Sequence, residues 1–249
     1  MPEKHKIYKL KDKTDKYTIQ KKDIFNVSNR IIFNMPTGAG KTGLIANFLL
    51  RPEFYKKDFQ NIYIFSGSKD EPKLKTIVRE LELDDVNVQV FGDYDDNVIN
   101  EIYDFIVEQY KQDLENGEKP EHNLFIFDDL GFKNIFARSK KESAMERLFM
   151  NGRKWLISSW ILTQTITQIS PSCRKNANGL IIGKITNSEL EMIERQFNYL
   201  KTKKEFMDMV RDHTENLHDF MVVNLTNPAK DIYMDRDFKS LSPKENPKS

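Results

Sequence analysis

Arg30 to Leu50 read RIIFNMPTGAGKTGLIANFLL. A β-branched and aromatic run ends at Met35, a short loop with glycines at positions 38 and 40 follows, and leucines, an isoleucine and a phenylalanine then open a helix. Strand, glycine-bearing turn and helix in this order give the setting in which backbone can wrap a phosphate, because a helix N-terminus offers unsatisfied N–H donors and a favourable dipole. The spacing assigns the N–H groups of Gly38, Ala39, Gly40 and Lys41 to a β-phosphate, the Lys41 ammonium to the β/γ oxygens and the Thr42 hydroxyl to Mg²⁺. Pro36, Thr37 and Gly43 complete the loop. The glycines let the chain turn tightly with no side chain in the path of the phosphate. Met35 stands where the general pattern G-x-x-x-x-G-K-[ST] has its first glycine, so the departure is confined to the strand end.

Working outward, short apolar runs alternate with helical segments: RIIFNM (30–35), NIYIFSGS (61–68), VNVQVFG (86–92), NLFIFDDL (123–130), KWLISSWILTQ (154–164) and GLIIGKI (179–185). Runs without polar alternation are what strands buried on both faces require, so the chain reads as α/β with a mostly parallel sheet flanked by helices. Ile99, Ile102 and Ile106 recur at helical spacing between the third and fourth runs, giving an amphipathic helix with a solvated acidic face. FMVVNLTNPAKDIYMD reads as two strands joined by an Asn-Pro turn, an antiparallel hairpin on the sheet edge. The expected organisation is a lysine-rich N-terminal arm over residues 1–23, a domain over 24–238 and a disordered tail over 239–249.

A magnesium-bound phosphate also needs an acid at the end of a neighbouring strand, and NLFIFDDL supplies Asp128 and Asp129 after four apolar residues. Asp128 is the expected metal partner through water, and Asp129 the acid that orients or polarises an attacking water. Aspartate is one methylene shorter than glutamate, which makes the second role the less natural one. KWLISSWILTQ ends in Gln164, an uncharged amide placed to contact a γ-phosphate or the lytic water. MERLFMNGRKW puts Arg147 on a helix and Arg153 on the turn after it, and Arg174 follows in SPSCRKNANG. An arginine presented to a neighbouring subunit's nucleotide supplies transition-state charge in trans, with Arg153 the first choice.

Composition sets the outer limits. The 249 residues, 39% of them hydrophobic, suffice for one large core. A net charge of +1 gives no global field for nucleic acid, so any DNA contact must come from local basic loops such as 69–75 and 133–141. Cys173 is the single cysteine and cannot form an internal disulfide, which fits a reducing intracellular setting. No apolar stretch reaches the roughly 18 residues that cross a bilayer. The four histidines lack metal-ligand spacing, so no zinc site is expected.

MPTGAGKTG, NLFIFDDL, NGRKWLISSWILTQ and CRKNANGLII, in this order and at these separations, resemble the A32-like genome-packaging ATPases of large DNA viruses, virophages and related elements, within the FtsK–HerA superfamily of P-loop motors. The resemblance runs from about residue 30 to 235. It implies a RecA-like additional-strand P-loop NTPase fold and ATP with Mg²⁺ as cofactors. It further implies a ring (pentamer or hexamer) that drives double-stranded DNA into a preformed capsid at a vertex of capsid proteins. The setting it implies is the host cytoplasm or viral factory, or the virion. By that similarity Lys41 and Thr42 match the Walker A pair, Asp128 and Asp129 the Walker B pair and Gln164 the polar sensor. Arg153 falls in the family's Gly-Arg segment, and Arg174 with Asn176 in its R-x-N element. Met35 and Lys154-Trp155 depart from the family pattern. A HerA-like translocase in repair or plasmid transfer is the alternative. A small-molecule kinase, which needs an arginine-bearing lid that is not evident here, and a slow nucleotide-switched binding protein are further from the pattern.

Overall fold

The computed structural model describes residues 16–128, 130 and 142–241. Residues 1–15 of the expected arm, 242–249 of the expected tail, Asp129 and the basic loop 133–141 lie outside the described residues. Among the described residues eight strands form one sheet: β1 (Arg30–Asn34), β2 (Asn61–Ser66), β3 (Asn87–Phe91), β4 (Asn123–Asp128), β5 (Ile157–Thr163), β6 (Gly179–Ile182), β7 (Met221–Asn224) and β8 (Tyr233–Met234). The helices are α1 (Lys41–Leu50), α2 (Pro72–Leu83), α3 (Asp96–Asn116), α4 (Ala144–Asn151), α5 (Pro171–Asn176), α6 (Asn187–Phe197) and α7 (Lys203–His213).

The strand order is β3-β2-β4-β5-β1-β6-β7-β8. Every pairing from β3 across to β6 is parallel, and β7 and β8 add antiparallel at one edge. This is the mostly parallel, helix-covered sheet with an antiparallel terminal hairpin that the sequence pattern implies. β5 lies between the loop-bearing strand β1 and the acidic strand β4, with Asn34 beside Thr163 and Asp128 beside Leu162. Asp128 therefore belongs to the next strand but one from the loop, with β5 as the additional strand of the RecA-like arrangement.

Alternate side chains of each strand feed two cores. Ile31, Phe33, Trp160, Leu162 and Ile181 meet Phe48 and Leu49 of α1 and Leu74 and Ile77 of α2. Ile32, Ile157, Ile161, Leu180 and Ile182 meet Ile99 and Tyr103 of α3, Leu148 of α4 and Leu190 and Ile193 of α6. Helices on both faces explain why these strands read as unbroken apolar runs. Phe33, Phe48, Tyr55 and Trp160 pack ring to ring at centroid separations of 5.5–5.9 Å, clamping α1 onto β1 and β5. Lys21 donates to the Phe54 carbonyl and pairs with Asp58, so the chain before β1 is tied to the segment that joins α1 to β2.

The strand expected from Lys154 begins instead at Ile157. Gly152–Trp155 form a 3₁₀ turn that closes on Leu156, a buried leucine held at φ 57°. Trp155 lies outside the sheet because its indole N–H donates to the Tyr103 hydroxyl of α3.

Candidate nucleotide site

The carboxyl ends of β1, β4, β5 and β6 open onto one edge, where ligands bind in open α/β sheets. After β1 the loop turns on Gly38 (φ 77°) and Gly40 (φ 93°), and Gly40 caps α1. Both φ values are left-handed, so these two positions require glycine. Gly38 and Gly40 are exposed while Ala39 is buried against the core, leaving the loop's outer rim as backbone. Lys41 directs its ammonium back across the mouth, donating to the carbonyls of Met35 at 2.7 Å and Pro36 at 3.1 Å.

Met35 is buried, and its N–H donates to the Thr163 carbonyl of β5. A Cβ on Gly183 would lie 3.1 Å from the Met35 Cγ, so the methionine side chain fills the space beside that glycine at the end of β6. The residue that breaks the general glycine pattern is thus a packing element of the strand end.

Thr42 and Asp128 line a single narrow cleft whose other walls are Ile45, Ile64, Leu74, Ile77, Ile126 and Leu162. The fold thus brings a hydroxyl and a carboxylate together at the sheet edge, oxygen donors of the kind a hard divalent cation takes. Gln164 is exposed at the end of β5, between the loop strand and the acidic strand. The segment after it is tightly held: Thr163 Oγ1 donates to the Thr165 carbonyl, Ile166 N–H donates to Glu189 at 2.8 Å, and Arg174 Nη1 donates to the Ile166 carbonyl at 3.1 Å.

Glu189 went unnoticed in the sequence because Thr186-x-x-Glu189 reads as an ordinary helix start. Thr186 does cap α6, but the glutamate, buried and raised in pKa by that burial, reaches across to Ile166. Arg174 is also buried, and its engagement beneath the Gln164 segment of its own chain speaks against the trans-acting role considered for it. Arg147 bonds Asn100 at 2.9 Å and Asp104 at 2.7 Å and lies over the Tyr103 ring, which ties α4 to α3. Such a set of partners is that of a structural ion pair.

Arg153 is exposed on the 3₁₀ turn that precedes β5, at the amino edge of the sheet. Its charge is felt by Arg30 at the start of β1, whose guanidinium is pushed below its ordinary pKa first by burial and second by Arg153. The length of β1, about 13 Å at 3.3 Å per residue, separates that edge from the phosphate loop. Arg153 therefore faces away from its own loop.

A parallel sheet with an additional strand between the loop strand and the acidic strand, and a glycine loop capping α1, define this protein as a P-loop ATPase. Solved structures share the fold. The DNA-packaging ATPase B204 of Sulfolobus turreted icosahedral virus matches with a TM-score of 0.59 at 14% identity, covering 81% of this chain and 95% of that one. B204 of Sulfolobus turreted icosahedral virus 2, a genome packaging NTPase solved in complex with ATP-gammaS, matches with a TM-score of 0.51 at 15% identity over 80% and 92%. An uncharacterized protein, 075L, of Invertebrate iridescent virus 6 is 26% identical over 216 residues, 85% of this chain and 76% of that protein. Residues 16–237 match the model of the poxvirus A32 protein family, and the chain belongs to that family. The A32-like resemblance carried by its motifs is thereby met. Among the described residues no helix is long and apolar enough to cross a membrane.

Proposed function

We propose that this chain is a packaging motor: a ring of identical subunits that hydrolyses ATP with Mg²⁺ and drives double-stranded viral DNA into a preformed capsid. The observation that carries the reading is the convergence of the Gly38–Thr42 loop, Asp128 and Gln164 on one sheet edge, with Arg153 on the opposite edge. Family membership and the likeness to structures described as packaging NTPases support it.

In this reading the loop N–H groups hold the β-phosphate, and Lys41 exchanges the carbonyls of Met35 and Pro36 for phosphate oxygens. Thr42 and Asp128 hold Mg²⁺, which when bound offsets the negative charge of the phosphates. Asp129 orients the attacking water, and Gln164 contacts the γ-phosphate or that water. Arg153 completes a neighbouring subunit's site, because its position at the far edge of the sheet suits action across an interface. DNA is held through its phosphates by basic loops facing the pore, a grip insensitive to sequence and weakened by salt. Lys69, exposed in the loop after β2, is a candidate for that grip, whereas Lys75 lies on α2 and pairs with Asp70 at 2.8 Å.

The test is phosphate release with and without double-stranded DNA for wild type, Lys41→Ala, Arg153→Ala and an equimolar mixture of the two variants. DNA stimulates the wild type, each variant alone loses about a hundredfold or more in rate, and the mixture recovers part of it. Rates indifferent to DNA, together with transfer of phosphate to a small molecule, overturn the motor reading. Absence of recovery on mixing removes Arg153 from the trans role.

A further inference from the structure

The segment 214–220 joins α7 to β7 and reaches the same edge as the phosphate loop, because β7 is antiparallel and begins at Met221 opposite Ile182, the last residue of β6. Its tip lies against the loop. A Cβ on Gly38 would stand 4.0 Å from Leu217 Cδ2, and one on Gly40 would stand 3.6 Å from His218 Nδ1. Leu217 is 46% exposed, and His218 is exposed beside it, so both side chains are open to a ligand seated on the loop.

The tip is braced. Asn216 Nδ2 and Arg236 Nη1 each donate to Asp219 at 2.7 Å, and Lys184 Nζ donates to the Glu215 carbonyl at 2.9 Å. A loop fixed at both shoulders presents its two central side chains without paying for their ordering on binding.

The sheet order fixes what these side chains can meet. Asp128 and Gln164 lie on the β5/β4 side of β1, and Leu217 and His218 on the β6/β7 side. A triphosphate laid on the loop with its γ end toward Asp128 and Gln164 directs its nucleoside end toward Leu217 and His218. An apolar isobutyl group and a flat imidazole are suited to a purine and its ribose, the first by excluding water and the second by stacking.

We propose that Leu217 and His218 form the wall that grips the nucleoside of the bound nucleotide and give the site its preference for a purine over a bare polyphosphate. The proposal rests on the nucleotide site described above and adds the part of it that no loop motif specifies. Both residues sit on an exposed turn, so Leu217→Ala and His218→Ala leave the fold intact, which equal thermal midpoints verify.

The experiment is calorimetric titration of ATP and of inorganic tripolyphosphate, each with Mg²⁺, into wild type, the Leu217→Ala/His218→Ala double variant, His218→Ala and His218→Phe. The double variant loses about tenfold or more in ATP affinity, by the scale of one stacked ring, and keeps its tripolyphosphate affinity. His218→Phe, which retains a flat ring, holds ATP better than His218→Ala does. An unchanged ATP affinity, or an equal loss for tripolyphosphate, overturns the proposal. Photolabelling of the wild type with 8-azido-ATP places the label within residues 215–220; a label found only elsewhere also overturns it. Lys41→Ala serves as the separate control: if it binds tripolyphosphate as wild type does, the phosphate-loop reading itself fails, whatever the wall does.

Discussion

At the amino ends of the central strands, Trp160 Nε1 donates to Asn29 Oδ1 at 2.6 Å, and the backbone N–H groups of Ser28 and Asn29 both donate to Ser158 Oγ. Asn87 donates to Asn61 and Asn61 to Asn123, a row of amides running across β3, β2 and β4. At the carboxyl ends of the same strands, Gly38, Gly40, Gln164 and His218 are exposed, and Lys41 is held by two carbonyls that a phosphate can replace. One edge spends its polar groups on closing the fold, and the other keeps them where a ligand can use them. The difference shows how a single sheet separates stability from chemistry, with Arg153 as the exception that places a candidate chemical group on the structural edge.

Substitutions can break that division. Trp160→Ala removes the largest fully buried side chain and strands Asn29, so unfolding in urea reports a loss of about 4 kcal/mol. A loss below about 1 kcal/mol means the aromatic clamp is not what secures α1 to the sheet.

His122 sharpens the comparison through pH. Buried at the foot of β4, its imidazole is pushed down to about 4, chiefly by burial. The unfolded chain takes up this proton below about pH 6.5, whereas the folded chain does so only near pH 4. Stability is therefore complete above about 6.5, declines on acidification by about 3 kcal/mol, and levels off below about 4. Wild type and His122→Leu compared across that range give the histidine's share, and parallel curves refute it.

Met35 tests whether a residue at the ligand edge can be purely structural. Met35→Gly empties the space beside Gly183, so it costs about 2 kcal/mol of stability and leaves nucleotide affinity within about twofold. Markedly tighter nucleotide binding without a stability loss means the missing glycine matters to the phosphate after all. The smallest effect belongs to Arg147→Ala, about 1 kcal/mol from a half-exposed ion pair and a ring contact, with ATP turnover unchanged. A collapse of turnover moves Arg147 into the chemistry.

The inner strands and the loop were legible because burial on both faces leaves unbroken apolar runs, and because left-handed turns demand glycine at positions 38 and 40. Strand order was not legible from the residues alone, since nothing local in ISSWILT says that it lies between β1 and β4. The burial of Arg174 and Glu189 and the exposure of Leu217 were not legible for a common reason. Whether a charged side chain is buried, or an apolar one exposed, depends on partners outside the local motif, eight residues away for Arg174 and 23 for Glu189. Arg153 lies on a turn, as read, but that turn runs on through Trp155, where the strand had been expected to begin at Lys154.

The insertion of β5 between β1 and β4 also sets a width. Strands lie about 4.8 Å apart, so the loop strand and the acidic strand are separated by about 9.6 Å. Adjacent strands would close the loop and the carboxylate onto each other. Two spacings put the end of β5, with Gln164 just beyond Thr163, between the loop strand and Asp128.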